Sequence, residues 1–341
     1  MTQLALTPVT YRPRAACRAV VSRAGVALRI MSALLALSSL LLAGAVAAQA
    51  QGPGPQDAPS PSAGAAAAPR GFLWQAVRGS SRVLLMGTVH LGRDGQTTLP
   101  TEHLRQLRGS AALVLEADVF DAQRTQAALQ RHALLPPRAP GLDRTLAPPL
   151  RARVQRLLEH YGLVADVAWR FKAWALANNL VVLETMQSGL NPAYSTEAQL
   201  LAAARAAGLP VLELEGVEAQ LALFDSMPDG LPVAYLEEAV GSIERGQSRR
   251  ELDQLVEAWR TGDESVMAST IERMRVATLP VDRWVLEQLI ESRHPAMVDR
   301  IERMAASGRL YLVAVGTLHF FGPNSLLAGL RARGFEISRL P

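Results

Sequence analysis

Two segments near opposite ends of the chain have nearly the same sequence: Arg82–Gly92, RVLLMGTVHLG, and Tyr311–Gly322, YLVAVGTLHFFG. In each, five mostly apolar residues precede Gly-Thr-x-His, and a glycine follows closely. Short apolar runs that end at glycine are typical of buried β-strands. In open α/β sheets, binding sites form just outside the carboxyl ends of the strands. The pattern therefore predicts two neighbouring strands whose ends bring His90 and His319 together.

The chain after residue 70 alternates short apolar runs with amphipathic stretches. The predicted strands are an edge strand Phe72–Val77, Arg82–Met86, Ala111–Leu115, Val211–Leu214, Leu310–Val315 and Phe335–Leu340. The predicted helices are Thr101–Gly109 with Thr101 as N-cap, Pro149–Tyr161, Val167–Leu180, Thr196–Ala207, Glu218–Phe224, Val233–Arg245, Arg249–Thr261, Asp282–Ser307 with a break at Pro295, and Pro323–Arg333. This alternation predicts an α/β fold: a sheet with helices on its faces, pseudo-repeated strand–Gly-Thr-x-His units at both ends and a helical insertion in the middle.

The N-terminal segment, residues 1–50, has the features of a secretory signal peptide. It contains five arginines and no acidic residue, then the apolar run Ile30–Val46 and the tripeptide Ala48-Gln49-Ala50. A basic start, an apolar stretch and an A-x-A site are its three expected parts. We therefore expect a periplasmic or secreted protein. The alternative is that the segment is not cleaved and anchors the protein, and we expect contact with the membrane only in that case. Residues 51–70, rich in Pro, Ala and Gly, predict a disordered linker before a domain at 71–341.

Charge and cysteine content exclude several classes of function. The full chain carries +4, and removal of the five N-terminal arginines leaves −1, so the basic pI comes from the predicted signal. No basic patch with interleaved aromatic residues occurs, so we expect no nucleic-acid partner. Cys17 is the only cysteine and lies in the predicted signal, which excludes disulfides and thiol catalysis in the mature protein.

Carboxylates that follow the predicted strands complete a candidate site with His90 and His319. Glu116 and Asp118 come directly after the strand Ala111–Leu115. Neutral imidazoles together with a carboxylate form a ligand set that suits zinc, manganese, iron or cobalt. The sequence therefore indicates a divalent-metal site at this edge of the sheet.

Structural roles remain open for several of these residues. A histidine at a strand end often caps a loop through a backbone carbonyl, and Glu213 and Glu215 have equal claims to a structural and a site role. Three further histidines lie in stretches rich in Arg or Gln and are predicted to be surface residues: His103, His132 and His160.

Other catalytic motifs are absent from the sequence. It contains no G-x-S-x-G, no G-x-x-x-x-G-K-[ST], no G-x-G-x-x-G and no H-E-x-x-H. A serine hydrolase of the α/β-hydrolase type, a nucleotide-binding protein and a zincin therefore have no motif support.

From Phe72 onward the chain resembles the TraB/GumN proteins, which are similar to the Tiki metalloproteases. The matching pieces, in order, are Phe72-Leu73-Trp74, Gly87-Thr88-Val89-His90, Leu115-Glu116-Ala117-Asp118, Leu212-Glu213-Leu214-Glu215 with Gln220, Arg293, Ala314 to Gly322, and Leu326-Leu327 to Gly334-Phe335. One departure is His294, since the family usually has Asn after this arginine.

The resemblance implies a hydrolase, peptidase-like, that needs a divalent metal (Mn, Co or Zn) and acts on a peptide or protein. It implies His90 and His319 as metal-site residues and Glu116 as the essential carboxylate, either a ligand or the general base. Asp118 and Arg293 are then expected to orient these groups or the substrate. Two alternatives stay open: ester hydrolysis at the same site, and a non-catalytic periplasmic binding or assembly factor linked to polysaccharide export.

Overall fold

The computed structural model describes residues 68–341, and these form a six-stranded mixed sheet with helices packed around it. The predicted signal peptide and most of the predicted linker lie outside the described residues. The strands are β1 Phe72–Arg78, β2 Ser81–Thr88, β3 Ala112–Leu115, β4 Val211–Glu213, β5 Tyr311–Gly316 and β6 Glu336–Arg339. The predicted α/β class is confirmed. Across this part of the chain, no helix is long and apolar enough to cross a membrane.

The order of the strands in the sheet is β4-β3-β5-β2-β1-β6. Strands β4, β3, β5 and β2 are parallel to one another, and β1 is antiparallel to both β2 and β6. The prediction that Phe72–Val77 is an edge strand was wrong. Strand β6 from the C-terminus pairs with its outer side, with Trp74 opposite Arg339, so β1 is an interior strand.

The two strands that carry the Gly-Thr-x-His motifs are direct neighbours, as predicted. Gly87 pairs with Val315 and Thr88 with Gly316, so the two motifs are offset by one position. All six residues of β5 are buried, as are the last six of β2. The hydroxyl of Thr317 donates to the Thr88 carbonyl oxygen at 2.9 Å, which ties the two strand ends together.

The two motifs differ in conformation after the strands end. Thr317–Phe320 forms a 3-10 helix, whereas Val89 and His90 follow β2 without helix or strand structure. Similar sequences therefore give different local structures, because each is surrounded by different parts of the chain.

The helices follow the predicted positions in most cases. They are α1 Thr101–Arg108, α2 Ala122–His132, α3 Pro148–His160, α4 Ala165–Ala168, α5 Ala173–Gln187, α6 Thr196–Ala206, α7 Val217–Asp225, α8 Leu231–Glu244, α9 Gln247–Thr261, α10 Glu264–Arg275, α11 Pro280–Trp284, α12 His294–Ala306 and α13 Leu326–Ala332. The central helices α3, α5, α8 and α9 pack on one another and form the helical insertion.

The helix predictions need correction at four points. The predicted helix Val167–Leu180 is two helices, α4 and α5, with residues 169–172 between them. Helices α2 and α10 were not predicted, because polar residues dominate both and few of their side chains are buried. Thr101 is the first residue of α1 rather than its cap, and Pro100 precedes it without a side-chain hydrogen bond. The break predicted at Pro295 lies earlier, in a π-helical segment, Val285–Ile290, and a 3-10 turn, Glu291–Arg293. Pro295 instead lies in the first turn of α12, where proline needs no hydrogen-bond donor.

The prediction that His103 is a surface residue was wrong. Its side chain is fully buried between helix α1 and the start of β1. A Cβ placed on Gly71 would lie 2.5 Å from its Cε1 atom and 3.2 Å from the Trp259 ring. Neither ring nitrogen has a hydrogen-bond partner within residues 68–341. Burial therefore lowers the pKa of His103 from 6.5 to about 4, and Arg339 acts in the same direction.

The buried His103 predicts a loss of stability in acid. Between pH 6.5 and about 4, the unfolded chain binds a proton at this residue that the folded protein excludes, so the free energy of unfolding falls as the pH is lowered. The contribution at stake is about 3 kcal/mol. We expect His103→Phe to flatten this pH dependence in urea unfolding, whereas the exposed matched control His160→Phe leaves it unchanged. Equal pH slopes for wild type and His103→Phe would contradict the assignment.

Candidate functional site

The candidate site is centred on Gly316, at the carboxyl end of β5. A Cβ atom placed on this glycine would lie 3.3 Å from Glu116 Oε1, 3.3 Å from His90 Nε2 and 3.6 Å from His319 Cδ2. The absence of a side chain at this one position therefore leaves room for three side chains to meet. The structure brings together His90, His319 and Glu116, which come from the ends of three neighbouring strands.

His90 is held by contacts of its own segment with the start of helix α6. The Val89 amide donates to Thr196 Oγ1 at 2.9 Å, and the Thr196 amide donates to the Val89 carbonyl at 3.1 Å. The Glu197 Oε1 atom lies 2.7 Å from His90 Nδ1. This ion-pair contact, which lacks the alignment of a hydrogen bond, favours a proton on Nδ1, while Nε2 faces Gly316. Nε2 is buried and has no hydrogen-bond partner in the described part of the chain.

The electrostatic surroundings favour positive charge at His90. Burial alone would lower its pKa, but the carboxylates of Glu197 and Glu116 outweigh that effect and raise the pKa above the ordinary value. The same attraction lowers the pKa of Glu197, which burial alone would raise. The site therefore attracts cations at the position of His90.

The chain after His90 is fixed to the helical insertion by a short antiparallel bridge. The Gly92 amide donates to the Asn191 carbonyl at 3.1 Å, and the Asn191 amide returns a bond to the Gly92 carbonyl at 2.8 Å. A Cβ on Gly92 would lie 2.1 Å from the Tyr194 carbonyl oxygen, so any other residue would force the two backbones apart. This bridge holds the segment of His90 against the helix that supplies Glu197.

Glu116 is the most tightly held residue of the site. Its Oε1 accepts from the Gly316 amide at 2.6 Å, while Oε2 accepts from the Arg293 guanidinium and from Gln220 Nε2 at 3.1 Å. Burial alone would raise its pKa, but Arg293 first, and then His90 and the Gly316 amide, hold the pKa far below its usual range. Glu116 is therefore ionised at every pH at which the protein is expected to work.

Arg293 links two strand ends from the other side of the site. Its guanidinium also binds Glu215, with Nε 3.0 and 3.1 Å from the two carboxylate oxygens, and Nη1 donates to the Leu289 carbonyl at 2.9 Å. The side chains of Arg293 and Glu116 are only 6% and 8% exposed. The π-helical segment and the 3-10 turn before α12 place Arg293 in this buried position. Such irregular turns occur often at functional sites.

A chain of hydrogen bonds fixes the protonation of His319. The carbonyl oxygen of Asn324 accepts from His294 Nδ1, at 2.5 Å, so the proton of neutral His294 is on Nδ1. His294 Nε2 then accepts from His319 Nδ1 at 2.9 Å. The Nε2 atom of His319 is left as an acceptor, 3.3 Å from the Arg293 Nη1 donor. Burial lowers the pKa of both histidines, which keeps both rings neutral.

Asp118 does not join this cluster. Its Oδ1 accepts from the Phe120 amide at 3.1 Å, and its Oδ2 lies 3.7 Å from Arg205. The neighbouring Glu213 has a similar role, since it accepts from the Asp118 amide and from Arg124, both at 2.6 Å. These two carboxylates shape the turn after β3, whereas Glu215 holds Arg293 in place.

Sequence reasoning missed two residues that contact the histidines. Glu197 lies in the first turn of α6 after the N-cap Ser195, and a carboxylate there is usually explained by the helix dipole. Its second role, the contact with His90 Nδ1, depends on the packing of α6 against the segment of His90. His294 was noted for departing from the resemblance, and its hydrogen bond to His319 gives it a positioning role.

Comparison with known proteins assigns the chain to a family. A family model described as TraB/PrgY/gumN matches residues 72–339, and the chain belongs to this family. The chain is 29% identical over 265 residues to the uncharacterized protein YbaP of Escherichia coli (strain K12), which covers 76% of this chain and 93% of that protein. The YbaP protein of Shigella flexneri matches with the same identity and coverage. No solved structure matches the chain.

The buried ion pairs of Arg293 predict a large loss of stability on substitution. Arg293→Gln leaves the Glu116 and Glu215 carboxylates without their cation, and an unpaired buried charge costs about 3–5 kcal/mol. The matched control Arg333→Gln breaks exposed pairs with Asp299 and Glu302, which are worth about 1 kcal/mol or less. Urea unfolding of both variants measures the difference, and equal losses would contradict the buried network.

The hydrogen-bond chain predicts a single tautomer for His319. In ring ¹⁵N NMR spectra of the wild type, we expect Nδ1 to carry the proton and Nε2 to be unprotonated. His294→Ala removes the acceptor of Nδ1–H, so the His319 signals should move toward a mixture of tautomers. His294→Asn supplies a carbonyl acceptor and should restore the wild-type pattern, and His160→Ala is the neutral control. A proton on His319 Nε2 in the wild type would contradict this series of hydrogen bonds.

Proposed function

We propose that the protein is a divalent-metal-dependent hydrolase that cleaves peptide bonds, the activity that the resemblance to the TraB/GumN proteins implies. The observation that carries the proposal is His90 Nε2, a buried nitrogen without a hydrogen-bond partner in residues 68–341 that points at the space beside Gly316. Buried polar atoms are rarely left without a partner. A ligand at this point would satisfy the nitrogen, and Glu116 and His319 border the same space.

The chemistry of these residues fits Mn, Co or Zn. With Glu197 beside Nδ1 of His90 and His294 accepting from Nδ1 of His319, the neutral form of each ring would present the Nε2 lone pair to a metal, and a metal at His90 would take the place of a proton. Carboxylate or histidine partners that fix metal-binding imidazoles in this way are common around metal sites. Within the described residues no three His, Cys, Asp or Glu side chains form a ready-made metal site. Metal binding therefore requires Arg293 to release His319 Nε2.

When bound, a divalent cation would supply Lewis acidity for a carbonyl group and a source of nucleophilic water. In the proposed hydrolysis, the oxygen of water bonds to the amide carbon and the C–N bond breaks. One proton of that water goes to the leaving nitrogen, so the products are a carboxylic acid and an amine. In this proposal Arg293 orients the site, since its guanidinium donates to Glu116 and lies 3.3 Å from His319 Nε2.

Glu116 is better suited to hold a cation than to accept a proton. A general base works best when its pKa is near the working pH, and the pKa of Glu116 is far below that range. Both of its oxygens also accept hydrogen bonds, from the Gly316 amide on one side and from Arg293 on the other. Of the two roles that the resemblance allows for this residue, we propose the ligand role.

The proposed substrates are periplasmic or secreted peptides or proteins, because the N-terminal segment has the features of an export signal. The mass of the mature N-terminus from a periplasmic extract tests this part. Cleavage after Ala50 supports it, and an intact segment in the membrane fraction supports the anchor.

The proposal predicts metal binding that depends on both histidines. We expect protein purified without chelator to retain Mn, Co or Zn near one equivalent, and the folded double variant His90→Ala/His319→Ala to retain none. The surface control His160→Ala should bind as the wild type does. With metal added, a mixed peptide library should be cleaved by the wild type, and Glu116→Gln should lower the rate by a factor of about 100 or more.

Two outcomes would overturn the proposal. The first is a metal-free wild type after all three metals are offered, and the second is hydrolysis that Glu116→Gln leaves unchanged. The first outcome would favour the alternative function, a non-catalytic periplasmic binding or assembly factor linked to polysaccharide export.

A further inference from the structure

An apolar cavity opens directly beside the candidate site. One wall consists of Gly316 and the two histidines, His90 and His319. The opposite walls come from helix α9, helix α10, the π-helical segment and the 3-10 helix after β5, through the side chains Leu252, Val256, Met267, Ile290 and Leu318. The cavity therefore joins the region around Gly316 to the helices that cover it.

The lining of the cavity selects for apolar groups. Among residues 68–341, the two imidazoles are the ionisable side chains that line it, Thr88 and Thr317 add hydroxyl groups, and the other lining side chains are apolar. Leu252, Met267 and Ile290 are each 3% exposed or less, so a group that enters is removed from water. A charged side chain in this position would lose its hydration without gaining a partner, which costs several kcal/mol. A hydrocarbon group instead gains from the burial of its surface.

The size of the cavity limits that group to a short aliphatic chain. The space measures about 60 Å³. For comparison, an apolar cavity of roughly 150 Å³ binds benzene, and about 10–15 Å³ holds a single water molecule. The cavity therefore has room for the few carbon atoms of an alanine, valine or similar side chain, but not for an aromatic ring.

The entrance of the cavity lies at the site rather than elsewhere on the surface. Among the lining residues, Val89, His90 and Leu318 are partly exposed, whereas Met267 and Ile290 on the far wall are buried. A side chain that enters from solvent therefore passes the segments of His90 and Leu318, which carry the partly exposed lining residues. Its backbone would then lie beside Gly316, where His90 Nε2 and Glu116 Oε1 meet.

We propose that this cavity receives a small aliphatic side chain of the peptide substrate, of alanine to valine size, adjacent to the bond that is cleaved. The inference rests on the proposed hydrolase function and names its substrate class: peptides with a small aliphatic residue at the cleavage position. The far wall, Met267 above all, sets the upper limit of size.

Methyl NMR tests the cavity without any need for hydrolysis. In the full chain labelled with ¹³C at the methionine methyl groups, Met267 and Met274 serve as a matched pair, since both lie on helix α10 and both are 1% exposed, but only Met267 lines the cavity. We expect N-acetyl-valinamide to shift the Met267 signal and not the Met274 signal. N-acetyl-glycinamide and N-acetyl-phenylalaninamide should shift neither. An unmoved Met267 signal with N-acetyl-valinamide, or an equal shift with N-acetyl-phenylalaninamide, would overturn the inference.

A pair of variants tests the size limit. Met267→Ala enlarges the cavity and should allow N-acetyl-phenylalaninamide to bind, detected by its saturation-transfer signal. Met274→Ala removes the same atoms from the same helix outside the cavity, so it should destabilise the fold by a similar amount without changing the preference. Gain of phenylalanine binding by both variants would show that the effect comes from loosening the helix, and would overturn the size argument.

Peptide cleavage separates this inference from the proposed function. In a series that differs at one residue, we expect replacement of valine by glycine next to the cleaved bond to lower kcat/KM at least tenfold. Hydrolysis without that preference would overturn the cavity inference and leave the hydrolase function standing. A shifted Met267 signal with no hydrolysis in any of the three metals would overturn the function and leave an aliphatic binding cavity.

Discussion

The buried ion pairs of Arg293 with Glu116 and Glu215 are the interaction on which the site depends. They connect the ends of β3 and β4 to the irregular turn before α12, while Glu116 also accepts the Gly316 amide at the end of β5. Charges this deep in a protein are tolerated only when each has a partner. The four segments therefore have to adopt their positions together.

Much of the fold follows from the sequence because its signals are local and strong. Apolar runs such as Tyr311–Gly316 have the length and composition of buried parallel strands, and each was predicted to within a residue or two. The failures have physical causes. The interior position of β1 depends on the distant β6. Polar residues dominate α2 and α10, so the few apolar residues on their buried faces give a weak signal in the sequence. His103 lies in a polar stretch of sequence, but the packing of Gly71 and Trp259 buries it.

The site was predictable to the extent that it lies at strand ends. His90, His319 and Glu116 each follow a predicted strand, and the parallel pairing of β2, β5 and β3 brings them to one edge. The residues that orient them were not predictable, because Glu197 and His294 are on helices and reach the site only through tertiary contacts. Asp118 was predicted as a site residue for the same reason as Glu116, because both follow β3. Its side chain instead accepts from the Phe120 amide in the turn after β3.

The pairing of β2 with β5 joins parts of the chain that are far apart, since the hydrogen bond from Thr317 to Thr88 spans 229 positions. During synthesis, the first half of the site therefore waits for nearly the whole chain before its partner strand exists. Closing so long a loop is slow, and until then β2 has an unpaired apolar edge that can aggregate. A chain that terminates early, before β5, is thus an incomplete sheet without a site rather than a smaller working protein. Chaperones that protect the unfinished chain would matter more for this fold than for one built from local hairpins.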